Sequence, residues 1–199
     1  MAAGCQFVRA YAGTAGTLSA AVIDAQSTRI SPQGGESGFD AGKKVKGRKC
    51  HLVVDTMGLI SAVSVTALSV QDRDAAAAVA TLACSKNARL EKLYADGAYG
   101  GKCAHDIEQA HRIRVEVVRH PAGGTTGTVH DPKIAPEHAM DMHVGLMVLP
   151  MRWVVERTHA CIERWRRTVM HHDRKLDVSA AWVWLAEARM LLNRLAYKS

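Results

Sequence analysis

No stretch of the 199 residues approaches the roughly 20 apolar positions of a membrane-spanning helix. The opening Met1–Arg9 has no apolar core of signal-peptide length, which argues against a secretory leader. The five cysteines (5, 50, 84, 103 and 161) are odd in number and include no Cys-x-x-Cys pair. They point to reduced thiols in a cytoplasmic protein rather than to a disulfide frame. The adjacent pairs Cys50-His51 and His171-His172 lack the spacing of a structural zinc site. Gly123-Gly-Thr-Thr-Gly127 lacks the Gly-Lys-Ser/Thr ending of a phosphate-binding loop. There is no internal repeat, no low-complexity tract and no acidic excess. With 26 Lys+Arg against 19 Asp+Glu the chain carries +7, a weak pointer to a polyanionic partner. A composition of 48% hydrophobic and 23% charged residues excludes disorder and fits one globular domain.

Residues 1–19 are small, Gly/Ala/Thr-rich and unpatterned, and are expected to form a loose leader. Ala20–Ile23 reads as a buried strand ending at Asp24, and the Pro and Gly content of 31–38 as a loop. Lys43-Lys-Val-Lys-Gly-Arg-Lys49 is a compact basic block. Cys50–Val54 and Leu59–Thr66 are β-branched runs joined by Asp55-Thr-Met-Gly58, a hairpin whose Gly takes a positive-φ turn position. Alanines favour a helix over 72–84, with Asp72 or Asp74 near its start. Leu90–Ala95 reads as a strand ending at Asp96, 102–111 as a helix and Val115–Val118 as a strand. The stretch 120–150 holds four of the five prolines and is expected to be an irregular excursion. Arg152–Thr168 and Val178–Tyr197 read as helices, the second with Ala181, Leu185, Ala188, Leu192 and Leu195 at core-facing spacing. The order predicts a mixed α/β sheet flanked by helices.

Two predicted strands end in an aspartate. Neighbouring strands can bring two such carboxylates together, and close carboxylates repel unless protonated or bridged by a cation. Hard divalent cations such as Mg²⁺ take oxygen ligands and keep several waters, so few carboxylates suffice. Glu156, in the first turns of the helix from Arg152, is a third candidate. The alternative is ordinary: strand-end aspartates cap helices or fix turns, and Arg152 and Glu156, four apart on a helix, can simply pair.

Four segments carry a family resemblance. Asp40-Ala-Gly-Lys-Lys-Val-Lys-Gly-Arg-Lys49 followed by His51-Leu-Val-Val-Asp-Thr56 resembles a signature of bacterial insertion-sequence transposases of the DDE type, the IS-four and IS-five-like group. Val22-Ile-Asp-Ala-Gln-Ser27 resembles their first acidic motif, Tyr94-Ala-Asp-Gly-Ala-Tyr99 the second, and Leu149-Pro-Met-Arg-Trp-Val-Val-Glu-Arg-Thr158 the third. The similarity runs from about residue 20 to 197 in the family's order.

The resemblance implies a ribonuclease-H-like fold, with a catalytic domain over 20–199 and Asp24, Asp96 and Glu156 as catalytic residues and metal ligands. Two ions, Mg²⁺ or Mn²⁺, would activate the attacking oxygen and stabilise the leaving one. The implied reactions are phosphodiester hydrolysis at the ends of the element and strand transfer into target DNA. Lys43, Lys44, Lys46, Arg48 and Lys49 would contact DNA phosphates, as would Arg152, Arg157, Arg164, Arg166 and Arg167. Trp153 and Trp165 are read as core or packing residues rather than base-stacking platforms. Implied partners are DNA, further copies of the chain assembled on it, and an N-terminal half from an upstream frame, because only 23 residues precede Asp24. Several positions depart from the family pattern. Ala25 stands where Ser is frequent, Cys50 where a basic residue is, and Glu163 where a Lys or Arg is common. His159 and Cys161 replace aromatics. A second expectation is therefore a non-catalytic DNA-binding remnant that inhibits an intact transposase.

Overall fold

The computed structural model describes residues 2–33, 35–118 and 151–196 of the chain. The expected excursion at 120–150 lies outside them. A seven-stranded mixed sheet is built from β1 (Ala20–Ile30), β2 (Gly38–Asp40), β3 (Val45–Asp55), β4 (Ile60–Ala67), β5 (Lys92–Asp96), β6 (Arg114–Val118) and β7 (Met170–His171). Its main path runs β2-β3-β1-β5-β6, with β4 pairing β3 and β7 pairing β1. β3 is antiparallel to β1 and β4, whereas β5 runs parallel to both β1 and β6. Among the described residues the helices are α1 (Ala2–Tyr11), α2 (Asp72–Lys86), α3 (Lys102–His111), α4 (Arg152–Ile162), α5 (Arg166–Val169) and α6 (Leu176–Ala196). This is the mixed α/β sheet flanked by helices that the order of elements predicts.

β1 is central, and its alternation supplies two cores. Ala21 and Ile23 face the buried alanines and Val79 of α2, whose small side chains let the helix lie close to the sheet. Val22 faces the other way, into a cluster with Val154 and Val155 of α4 and Val183 of α6. Asp24, two residues on from Val22, shares the α4 face. The strand does not end at Asp24 as expected; β1 runs on to Ile30, because β3 continues to pair it as far as Arg29↔Gly47. Gly47 is required there, since a Cβ would lie 2.1 Å from the Thr28 carbonyl oxygen.

The hairpin of β3 and β4 forms as expected. Gly58 has φ +79°, and the Asp55 carboxylate accepts from the Met57 and Leu59 amides to hold the turn.

Three expectations need correction. The leader is not loose, since residues 2–11 are helical: Val8 is buried against Leu59 and Leu191, and Arg9 pairs with Asp55. The long helix expected over 152–168 breaks after Ile162, where Trp165 turns extended and the Thr168 hydroxyl donates to the Ile162 carbonyl. The buried row of α6 is Ser179, Val183, Ala186, Glu187 and Leu191, leaving Leu185 and Leu192 exposed. Apolar spacing misleads here because two buried positions are polar and hydrogen-bonded. Ser179 accepts from Arg48, and Glu187 accepts from the Ile60 amide.

Among the described residues all five cysteines are free, and no helix is long and apolar enough to cross a membrane.

Candidate active site

Strand register explains the central pair of carboxylates. β1 and β5 align Ala20 with Lys92 and Val22 with Tyr94. Continued by two residues, that alignment sets Asp24 beside Asp96, on the same face as Val22 and Tyr94. Both aspartates line a small cleft with Val118, Arg152 and Val155. Asp96 closes β5 and caps the 3₁₀ turn Gly97–Tyr99, its Oδ1 accepting from the Ala98 amide at 2.9 Å. That bond fixes the direction of the carboxylate.

The charge environment of Asp24 is unbalanced. Burial pushes its carboxyl up to about 6, opposed by the Ala25 amide and Arg152 and reinforced by the charges of Asp96 and Glu156. A carboxylate raised by burial and by two like charges is one that a cation would relieve.

α4 supplies the remaining groups along one strip. Val154, Val155, Thr158, His159 and Ile162 are buried, Arg152 lines the cleft, and Glu156 is exposed at the border of the strip. The Thr158 hydroxyl donates to the Gly58 carbonyl at 2.9 Å and ties the helix to the β3–β4 turn. Glu156 pairs with Arg152 at 3.0 Å, the intrahelical ion pair weighed above. Glu156 therefore reaches Asp24 as a charge, but its carboxylate is turned to Arg152. Among the described residues, no group of three or more His, Cys, Asp or Glu side chains is gathered closely enough to hold one metal ion. Of the three carboxylates, Asp24 and Asp96 line the cleft and Glu156 does not.

Two residues of α4 and its C-terminal end that contact β1 escaped assignment to the site. His159 Nε2 lies 3.6 Å from Asp24 Oδ2, and the side chain is almost fully buried. Burial lowers its pKa to about 4, so the imidazole is neutral at neutral pH. Glu163, where a basic residue was expected, accepts from Gln26 of β1 and links the end of α4 to the central strand. The only sequence signal for either was its departure from the family pattern.

The basic residues divide. Lys43, Lys44 and Lys46 are exposed on the β2–β3 hairpin, where Asp40 accepts from the Gly42 and Lys43 amides. Arg157, Arg164, Arg166 and Arg167 are exposed on and after α4. Arg157 donates to the Met57 carbonyl and lies 4.8 Å over the Trp153 ring. Trp153 is thus a surface platform for an arginine, not a core residue. Arg48 is a correction: it has no exposed surface and donates to the carbonyls of Glu36 and Arg174 and to Ser179 Oγ. Lys49 is also buried, donating to the Val70 carbonyl and pairing with Asp72 at 2.8 Å. Neither can reach a phosphate, because side chains on one strand alternate between faces and these two point into α6 and α2.

The sequence profile of the transposase DDE domain matches residues 15–191. No curated protein sequence matches the chain. Similar solved structures include an intasome of simian T-cell lymphotropic virus, with TM-score 0.48 and 14% identity over 83% of this chain and 46% of that one. The Mos1 transposase paired-end complex with left transposon end gives 0.40 and 12% over 96% and 58%. The catalytic domain of Mos1 mariner transposase gives 0.34 and 10% over 97% and 87%. The chain spans about half the length of the first two. With 15–191 covered by that profile, and the two aspartates side by side on the sheet, the chain belongs to the transposase DDE domain family.

Proposed function

We propose that the chain is the catalytic domain of an insertion-sequence transposase that cuts phosphodiesters at element ends and joins them to target DNA. Asp24, Asp96 and Glu156 are its catalytic carboxylates and hold Mg²⁺ or Mn²⁺, as two ions. The observation that carries this reading is that Asp24 and Asp96, each two residues beyond the paired Val22 and Tyr94, line one cleft together with Arg152 of α4.

When bound, the ions supply Lewis-acid activation of the attacking oxygen and charge stabilisation of the leaving one. The chain's own residues do the rest. Asp24 and Asp96 offer oxygens from rigid strands, and the Ala98 amide keeps Asp96 oriented. Glu156 is held by a half-exposed ion pair, an interaction worth only about 0.3–0.5 kcal/mol on a helix surface, so turning it inward costs little. Arg152 is then free for a phosphate oxygen. Lys43, Lys44, Lys46, Arg157, Arg164, Arg166 and Arg167 position the DNA backbone without reading sequence. Assembly of several copies on DNA, and an N-terminal half from an upstream frame, belong to the same reading.

A second reading is a DNA-binding chain that does not cut. The pairing of Glu156 with Arg152 favours it, because only two carboxylates then face the cleft. Nicking of a supercoiled plasmid in Mn²⁺ separates the two. Catalysis requires nicking by the wild type and its loss, by more than about 100-fold, in Asp24→Asn, Asp96→Asn and Glu156→Gln. Undiminished DNA binding with no nicking by the wild type would favour the second reading.

A further inference from the structure

His159 is a polar side chain beside Asp24 that the carboxylate chemistry above does not use. It lies on α4 three residues after Glu156 and four after Val155, so helical geometry aims it along the strip that faces β1. Its Nε2 stands 3.6 Å from Asp24 Oδ2. That is too long for a hydrogen bond. Only 6% of the residue is exposed, and Nε2 is sealed from water with no hydrogen-bond partner. A buried polar nitrogen without a partner is costly and calls for an explanation.

A cation supplies one. Two donor atoms about 2.1 Å from a common ion, at ordinary ligand angles, lie about 3.0–3.4 Å apart. The His159–Asp24 separation is within a few tenths of an ångström of that span. We propose that His159 is a nitrogen donor beside Asp24, giving the site a mixed nitrogen–oxygen ligand set that favours a first-row transition ion such as Mn²⁺ over Mg²⁺. Mg²⁺ takes oxygen ligands and gives up its waters reluctantly, whereas an imidazole nitrogen suits first-row ions. The inference rests on the metal-binding reading of Asp24 and Asp96, and concerns which ion that site selects.

Pulsed electron paramagnetic resonance on the full chain loaded with Mn²⁺ alone tests it, with affinities from Mn²⁺ titration and Mg²⁺ competition. The wild type is expected to show ¹⁴N coupling to the bound ion. His159→Phe should lose that coupling and bind Mn²⁺ about 10-fold more weakly, with Mg²⁺ affinity changed less than about threefold. His159→Asn, shorter but still polar, should behave likewise and serves if the Phe variant fails to fold. Binding of Mn²⁺ without ¹⁴N coupling, or coupling and affinity retained in both variants, would overturn the role of His159 and leave the metal site standing. No Mn²⁺ binding by the wild type, matched by Asp96→Asn, would overturn the metal site itself and this inference with it.

Discussion

Glu187 has no exposed surface, and its Oε1 accepts from the Ile60 amide at 3.1 Å. Burial raises its carboxyl to about 7, with Asp55 adding to the rise and the Ile60 amide and Arg194 opposing it. In the unfolded chain the same group ionises near its ordinary 4.5, so the folded state holds its proton longer as pH rises. Stability present below that ordinary value is therefore lost on the way up to about pH 7, by about 3 kcal/mol. Glu187→Gln keeps the acceptor for Ile60 and removes the titration. Thermal melts at pH 5 and pH 8 should show the variant losing less stability than the wild type between the two; equal losses would contradict the burial argument. Arg48 is the matching case among the cations. Arg48→Met should cost about 2–4 kcal/mol in a denaturant melt, because four charge-assisted bonds disappear and their acceptors stay behind. It should leave the salt dependence of DNA binding unchanged, since the side chain never meets a phosphate.

Elements were legible from the sequence wherever local pattern and tertiary burial agreed. The β3–β4 hairpin and helices α2 and α3 fall where β-branched runs, the Asp55–Gly58 turn and the alanines predicted them. Agreement failed at α6, whose buried face carries Ser179 and Glu187 while Leu185 and Leu192 stand in solvent. The partners that make those polar residues tolerable lie more than 120 positions away, on β3 and β4, beyond any local pattern. The N-terminal helix was missed for a related reason. Arg9 pairs with Asp55 across 46 residues, an anchor that local composition does not register. For α4, placement rests on the buried bond from Thr158 to the Gly58 carbonyl. Thr158→Val removes it at nearly constant volume and should cost about 1–2 kcal/mol, measured by denaturant unfolding. If α4 carries Glu156 and Arg152 as argued, plasmid nicking should fall too; unchanged stability would show that the helix is held elsewhere.

At the scale of the whole molecule, the sheet brings together residues 72 positions apart. Asp24 and Asp96 were recognisable from their motifs, and parallel pairing of β1 with β5 accounts for their adjacency. Pattern alone did not reveal that Glu156 would pair with Arg152, or that His159 would turn toward Asp24, because both depend on how α4 rolls against the sheet. The exposed hairpin lysines give a separate expectation. Lys43→Ala, Lys44→Ala and Lys46→Ala combined should flatten the slope of log affinity against log salt by about 2–3 on duplex DNA. An unchanged slope would remove the hairpin from the DNA path.

The most direct test of the central claim is the thermal midpoint of the chain across a Mn²⁺ titration, for the wild type and for Asp96→Asn. An ion that binds only the folded state raises the midpoint with concentration. The account requires a concentration-dependent rise in the wild type that the variant loses. No rise in the wild type, or an equal rise in both, would contradict a metal centre built on Asp24 and Asp96.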